Sequence, residues 1–190
     1  MQRIEILMFN GFDELDVVAP FEIFVSTGFD VELVTLQQCT KVVGSHGLNV
    51  IPSGQLGARP DLLVVPGGGW AAKSPVGARA EVSSGLIPAA IAERYAAGST
   101  VAGVCTGAML LAASGILAGR PAVTHRSAID DLRRLGVDVR PEARVVDDGD
   151  VLTSGGVTSG IDLALHIVSR ERGQEAARAE AARIELPGAH

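Results

Sequence analysis

Hydrophobic residues occur along the chain in short continuous runs, and these runs alternate with segments of helical spacing. An uninterrupted apolar run bounded by glycine or polar residues is typical of a strand buried on both faces. Segments in which apolar residues recur every three or four positions predict helices between those strands. The predicted strands are residues 4–9, 31–36, 62–65, 101–104, 122–124, 144–146 and 151–153, and the predicted helices are 17–26, 87–97, 106–114, 129–135, 157–170 and 175–184.

This alternation predicts an α/β fold: one doubly wound domain over residues 1–190, in which helices cover both faces of a parallel sheet. Residues 147–150 (Asp-Asp-Gly-Asp) separate the last two strands, and such a sequence is typical of a β-hairpin turn. In doubly wound folds, ligands bind beyond the carboxyl ends of the strands. The positions of interest are therefore those that follow Phe9, Val65, Val104 and Thr124.

Composition narrows the classes of function. With 47% hydrophobic and 20% charged residues among 190, the chain is typical of a globular protein rather than a disordered one. Its net charge of −6, and the absence of any Lys/Arg-rich run, argue against a nucleic-acid partner. Residues 95–119 carry no charge and are long enough to cross a membrane. Their five glycines instead favour a buried strand followed by a buried helix, so no membrane partner is expected.

The two cysteines, Cys39 and Cys105, are too few for a disulfide framework in a chain of this size. Residues 1–12 lack the basic start and long apolar stretch of a signal peptide, and they are interpreted as the first strand. Free thiols without an export signal predict a cytoplasmic protein. No metal or cofactor is expected, because metal-ligand spacing is absent from the histidines, which are His46, His125, His166 and His190.

A candidate nucleophile lies between a predicted strand and a predicted helix. Residues 103–107 read Gly-Val-Cys-Thr-Gly, the sulfur version of the G-x-S-x-G nucleophile elbow. Unpaired N–H groups and the positive end of the helix dipole would favour the thiolate of Cys105. Most free cysteines are small buried core residues, but the place of Cys105 at the predicted ligand edge favours catalysis. Cys39 lacks such surroundings and is interpreted as structural.

An anion-binding turn and an acid are predicted near this cysteine. Gly67 and Gly68 follow a buried strand, where glycine lets main-chain N–H groups face a ligand. The N–H groups of Gly68 and Thr106 would then hold a developing negative charge, although a plain tight turn is the alternative. Asp16 has apolar neighbours, which raise the pKa of a carboxyl and make it a proton donor; equally, it is a helix N-cap.

Two further residues have open roles. His125 follows the predicted strand 122–124 and would reach the same edge as Cys105, either as a supporting base or as a surface residue. Trp70, the single tryptophan, follows the glycine turn. It either lines the pocket or forms a dimer contact, since aromatic residues favour interfaces.

Several motifs lie at these turns: residues 15–20 (Leu-Asp-Val-Val-Ala-Pro), 65–69 (Val-Pro-Gly-Gly-Gly), 104–108 (Val-Cys-Thr-Gly-Ala), 123–125 (Val-Thr-His), and the late segments 144–150 and 153–162. In these motifs the chain resembles the ThiJ/PfpI superfamily, relatives of the class I glutamine amidotransferases. The resemblance runs from the first strand to about Val168. The Cys-Thr-Gly elbow and the early Leu-Asp are most similar to the isonitrile hydratase branch and to the sensor domains of AraC-like regulators.

The resemblance implies a flavodoxin-like fold and, usually, a homodimer. It implies a nucleophilic Cys105, a hydrogen-bonded acid at Asp16, and N–H groups of Gly68 and Thr106 near the sulfur. The Thr106 hydroxyl is a further binding group in that branch. The implied function is hydration of an isonitrile to an N-substituted formamide through a thioimidate on Cys105, without a cofactor.

At several positions this chain differs from other branches of the superfamily, and these differences count against the functions of those branches. Peptidases of the superfamily carry histidine where Thr106 stands, and the amidotransferases use a late His-x-Glu that residues 166–168 do not supply. The Parkinsonism-associated and glyoxalase branches usually carry glutamate in place of Asp16, which counts against a glyoxalase. The other alternative is a non-catalytic ligand-sensing or redox-responsive domain. AraC-like regulators continue into DNA-binding helices, whereas this sequence ends at His190, so that alternative is a bare sensor.

Overall fold

The computed structural model describes residues 3–187; the first two residues of the predicted segment 1–12 and His190 lie outside the described part. The strands are β1 (Arg3–Leu7), β2 (Asp30–Thr35), β3 (Val42–Val43), β4 (Asn49–Val50), β5 (Gly54–Gln55), β6 (Leu62–Val65), β7 (Thr100–Gly103), β8 (Pro121–Ala122), β9 (Asp138–Val139), β10 (Val145–Asp147) and β11 (Val151–Ser154). The helices are α1 (Glu14–Ser26), α2 (Ala78–Ser84), α3 (Leu86–Ala96), α4 (Gly107–Ala113), α5 (Ile129–Arg134), α6 (Ser159–Arg172) and α7 (Gln174–Arg183).

The central sheet has seven strands in the order β10-β11-β7-β6-β1-β2-β5. Neighbouring strands are parallel, except for the hairpin β10–β11, which is antiparallel as its turn sequence predicts. Helices α1, α6 and α7 pack together, and α2, α3 and α4 form a second group. The fold is therefore the predicted α/β, flavodoxin-like arrangement of helices around a mostly parallel sheet.

The middle strands are apolar because both of their faces are covered. All four residues of β6 are buried, as are residues 101–103 of β7. In the parallel pairing of these strands, Val65 lies opposite Gly103, so both chains leave the sheet at the same edge. The uncharged segment 95–119 resolves into the end of α3, then β7 and α4. Within residues 3–187, no helix is long and apolar enough to cross a membrane.

Two predicted elements differ from the structure. Helix α1 begins at Glu14 rather than residue 17, because the Asp13 carboxylate accepts the N–H of Leu15 at 3.2 Å and caps the helix. The helix also continues through Pro20.

The predicted strand 122–124 shortens to β8, which pairs with β9 outside the central sheet. Side-chain hydrogen bonds replace the strand ladder at this point. The Val123 N–H donates to the hydroxyl of Thr153 at 3.0 Å, and the Thr124 hydroxyl donates to the carbonyl of Cys105 at 2.9 Å. The segment 122–124 therefore contacts the elbow through the side chain of Thr124. The hairpin β3–β4, the edge strand β5, strand β9 and helix α2 were not predicted.

Candidate active site

Cys105 occupies the sharp turn between β7 and α4. Its φ of +55° lies in the left-handed region, which a non-glycine residue adopts at a cost of about 1–3 kcal/mol and which is typical of functional turns. The glycines on either side make the turn possible. A Cβ on Gly107 would lie 2.1 Å from the Val65 carbonyl oxygen, and one on Gly103 would lie 3.0 Å from the Ala108 nitrogen. The strained elbow predicted from residues 103–107 is present.

Replacing Gly107 with alanine is expected to destabilise the protein by about 3 kcal/mol, because the added methyl overlaps backbone that has no room to move. Denaturant unfolding followed by circular dichroism measures this change. Gly54→Ala is the matched control, since a Cβ on Gly54 meets no atom within 4 Å. Equal stability of the two variants would contradict the close packing of the elbow on β6.

Asp16 lies inside α1 and is completely buried. Its Oδ2 accepts the N–H of Gly67 at 2.9 Å, and the carboxyl is close enough to Cys105 for the charge of one group to change the pKa of the other. Oδ1 has no hydrogen-bond partner among the described residues. Burial raises the pKa of Asp16 well above its usual range, and the nearby charge of Asp13 raises it further. The N-cap interpretation of Asp16 is wrong, because Asp13 is the cap.

The Cys105 thiol does not have the lowered pKa that its position at a helix start predicted. Burial raises the pKa of Cys105, and an ionised Asp16 raises it further; hydrogen bonds from the Thr106 N–H and hydroxyl act in the opposite direction. Only 5% of the residue is exposed, so desolvation outweighs the hydrogen bonds. Two adjacent negative charges repel in this setting. The Asp16–Cys105 pair therefore keeps at least one proton at neutral pH.

The N–H groups of the glycine turn bind protein side chains and not a ligand, which differs from the prediction. The Gly67 N–H binds Asp16 and is not available to a ligand, so Gly67 positions the acid. The Gly68 N–H donates to the Thr106 hydroxyl oxygen at 3.0 Å. Gly68 therefore positions the Thr106 hydroxyl, and that hydroxyl lowers the pKa of the neighbouring Cys105 thiol against the larger effect of burial.

A cleft of about 690 Å³ opens over the elbow. Cys105 and Thr106 line it, as do Trp70 and His125, so the structure brings these predicted site residues together. The Trp70 ring is 7% exposed. Its Nε1–H donates to Asp131 at 2.7 Å, and the Arg79 guanidinium lies 4.3 Å from the ring centre. These contacts hold the indole as a fixed side of the cleft.

His125 is neutral at neutral pH, because burial lowers its pKa and the charge of Arg126 lowers it further. Its Nδ1 accepts the N–H of Ser127 at 3.2 Å, so the ring proton resides on Nε2. His125 is thus a hydrogen-bond donor at the cleft, held in one orientation by the turn that follows it.

Residues 2–170 match the model of the DJ-1/PfpI family. The chain belongs to the DJ-1/PfpI family. It is 32% identical over 179 residues to an isonitrile hydratase from Pseudomonas putida, covering 93% of this chain and 75% of the relative. It is 26% identical over 181 residues to the Parkinson disease protein 7 homolog of Danio rerio, covering 93% of each.

A solved structure of a ThiJ/PfpI family protein from Pseudomonas syringae superposes on this chain with a TM-score of 0.85 and 27% identity. The match covers 98% of this chain and 76% of the other. The likeness therefore extends over almost all of this DJ-1/PfpI chain.

Three residues beside the elbow of this DJ-1/PfpI protein were not predicted as site residues. Asp13 and His46 line the cleft, and Glu14 holds the loop that carries His46. Glu14 Oε1 accepts the His46 N–H at 2.6 Å, and its Oε2 lies 2.6 Å from His46 Nδ1. These bonds lower the pKa of Glu14 to about 2 and raise that of His46. The contacts join positions 32 residues apart, which spacing along the chain does not reveal.

Glu14→Gln is expected to loosen the 44–48 loop more at pH 5.5 than at pH 9. The lowered pKa of Glu14 stabilises the folded state above pH about 4.5 and is lost as pH falls toward 2. The raised pKa of His46 stabilises it below pH about 6.5 and is lost as pH rises through the folded value. Both contributions are present at pH 5.5. Amide exchange of the loop in both proteins measures the difference, and an equal effect at the two pH values would contradict the ion pair.

Within 3–187, no group of three or more histidine, cysteine, aspartate or glutamate side chains is arranged to hold a metal ion. His166 does not line the cleft; its Nε2 lies 2.6 Å from Asp147. Cys39 is exposed, and its thiol is 3.7 Å from the Thr35 hydroxyl.

Proposed function

We propose that this DJ-1/PfpI protein is a cysteine-dependent enzyme that hydrates isonitriles to N-substituted formamides. The observation that carries the proposal is the buried Asp16 beside Cys105, a residue that lines the cleft. An isonitrile carbon must receive both a nucleophile and a proton, and this pair supplies the two. The similarity to an isonitrile hydratase supports the same reaction.

The first step forms a thioimidate. The reactive form of the pair has its proton on Asp16, whose pKa is raised by burial, and the negative charge on the Cys105 sulfur. The sulfur attacks the terminal carbon of R–N≡C while Asp16 gives that carbon its proton. The product is R–N=CH–S–Cys105, and Asp16 is left as the carboxylate. Splitting the hydration into two stages lowers each barrier.

Water completes the reaction. Its oxygen bonds to the thioimidate carbon, and one of its protons passes through Asp16 to the substrate nitrogen. The tetrahedral intermediate then expels the Cys105 sulfur as the C–S bond breaks, and its hydroxyl proton returns to Asp16. The formamide R–NH–CHO leaves and the pair regains its starting charges. The Thr106 hydroxyl and the Nε2–H of His125 are the donors that hold the substrate and the intermediate in the cleft.

We further propose that the protein acts as one domain over residues 1–190, as a homodimer in the cytoplasm, with no nucleic-acid or membrane partner. Three apolar side chains of α1 support a protein–protein contact, because they remain between 39% and 47% exposed: Leu15, Val18 and Val25. Both cysteines are free thiols, as a reducing compartment requires.

Turnover of p-nitrophenyl isocyanide to the formamide, followed by absorbance and by mass spectrometry, tests the proposed reaction. We expect turnover together with a transient adduct on the Cys105 peptide. Methylglyoxal is the comparison substrate and is expected to be consumed far more slowly. A protein that neither turns over the isocyanide nor forms the adduct, yet takes up oxygen on Cys105, would be a redox sensor and not this enzyme.

A further inference from the structure

The cleft over Cys105 has an unbalanced charge. The ionisable side chains that line it are Asp13, His46, Cys105 and His125; no arginine or lysine is among the lining residues of the described chain. Asp13 accepts the Leu15 N–H as the helix cap, which holds its carboxylate beside the cleft. It makes no ion pair with another described residue. The cleft therefore carries one fixed negative charge with no partner.

The other charges near the cleft are compensated or lie elsewhere. His46 is paired with Glu14, so the two cancel when His46 is protonated. Arg79, on the Trp70 ring, is paired with Asp131. Arg126 lines the neighbouring cavity beyond His125 and not this cleft, and Lys73 does not line it either.

The field of Asp13 extends across the base of the cleft. Its charge raises the pKa of Asp16 and of Cys105 on the reacting side and contributes to the raised pKa of His46. At His125 it opposes the larger effects of burial and of Arg126, which lower the pKa of that ring. A substrate between these groups experiences the same carboxylate, because they surround the space that it would occupy.

We propose that Asp13 makes this site select neutral or cationic electrophiles and reject anionic ones, so that its substrates carry no carboxylate or phosphate near the reacting carbon. This inference rests on the proposed function in one respect: the electrophiles that the site selects are taken to be isonitriles. The selection itself applies to any electrophile that reaches the Cys105 sulfur. A single charge across a partly solvated cleft changes a rate by about fivefold.

Alkylation of Cys105 tests the charge without any turnover. In a Cys39→Ser background, the rates with neutral iodoacetamide and anionic iodoacetate are measured by mass spectrometry. The ratio of these two rates is compared with the same ratio for N-acetylcysteine amide, whose reacting thiolate has no other charged group beside it. We expect the Cys105 ratio to exceed the reference by about fivefold, and the excess to shrink in high salt.

Asp13→Asn removes the charge but keeps an oxygen that caps the helix. Any change in the reactivity of the sulfur alters both rates alike, so the ratio isolates the charge on the reagent. The ratio is expected to fall to the reference value in this variant. Asp30→Asn is the matched control, since Asp30 starts β2 at the other end of the sheet, and it should leave the ratio unchanged. A wild-type ratio equal to the reference, or one that Asp13→Asn does not lower, overturns the proposal.

Fluorescence of Trp70 gives a second readout that does not need a reactive sulfur. Trp70 is the only tryptophan and lines the cleft, so quenching by iodide and by caesium reports the local charge. Asp13→Asn should raise the ratio of iodide quenching to caesium quenching of the Trp70 fluorescence. A ratio equal to that of the wild type overturns the proposal. If Cys105 reacts with neither alkylating reagent, the hydration scheme fails, while the quenching comparison still decides the charge of the cleft.

Discussion

Cys105→Ser is expected to lower kcat/KM for p-nitrophenyl isocyanide by about a thousandfold or more. Serine fits the elbow, because its side chain is no larger than that of cysteine and leaves the positive φ and the flanking glycines as they are. Its hydroxyl, however, does not ionise in a site where burial already raises the pKa of a thiol. The protein should therefore remain folded and lose only the covalent step. Initial rates measured beside the thermal melting curve separate the two.

Cys39→Ser is the control for this variant. Cys39 is exposed, whereas Cys105 lines the cleft, so the same chemical change at position 39 should leave the rate unaltered. A Cys105→Ser protein that keeps wild-type turnover would remove the thioimidate from the mechanism. Loss of turnover in both variants would instead indicate general damage to the fold.

The parts of the fold that local patterns determine were predictable. The runs 62–65 and 101–104 correspond to β6 and β7, because a strand with both faces covered needs apolar residues throughout. The Gly-x-Cys-x-Gly turn was predictable for a similar reason, since its geometry leaves no room for side chains two positions before and two positions after the cysteine. The hairpin β10–β11 followed from its turn residues.

Features that depend on contacts between distant segments were not predictable in this way. The strand expected at 122–124 leaves the central sheet because the Thr153 hydroxyl and the Cys105 carbonyl, from other elements, accept its hydrogen bonds. The direction of the Cys105 pKa was wrong for the same reason: the motif shows the helix start, whereas the burial that dominates comes from packing around it. The contact between Glu14 and His46 corresponds to no local sequence pattern, because the two residues lie far apart along the chain.

Asp16→Asn is expected to lower the rate of hydration by about a hundredfold or more, because the amide accepts the Gly67 N–H but has no acidic proton for the isonitrile carbon. Asp16→Glu keeps the acid and displaces it by one methylene, and a loss of about tenfold is expected. In the wild type, activity should rise with pH as the Asp16–Cys105 pair loses its first proton and fall only as it loses the second, since the competent form holds one proton, on Asp16. A rate unchanged in the amide variant would assign the proton to another group.

The Asp16→Asn variant should gain folding stability although it loses activity, and this distinguishes a reacting acid from a structural one. Because burial raises the pKa of Asp16 above its unfolded value, the folded wild type must hold a proton that the unfolded chain releases. Wild-type stability therefore falls as pH rises between those two values. Asparagine carries no such proton, so Asp16→Asn should gain stability relative to wild type from pH 5 to pH 9 in denaturant unfolding. If the variant is instead less stable by the same amount at every pH, Asp16 is ionised in the folded protein and cannot be the donor in the first step.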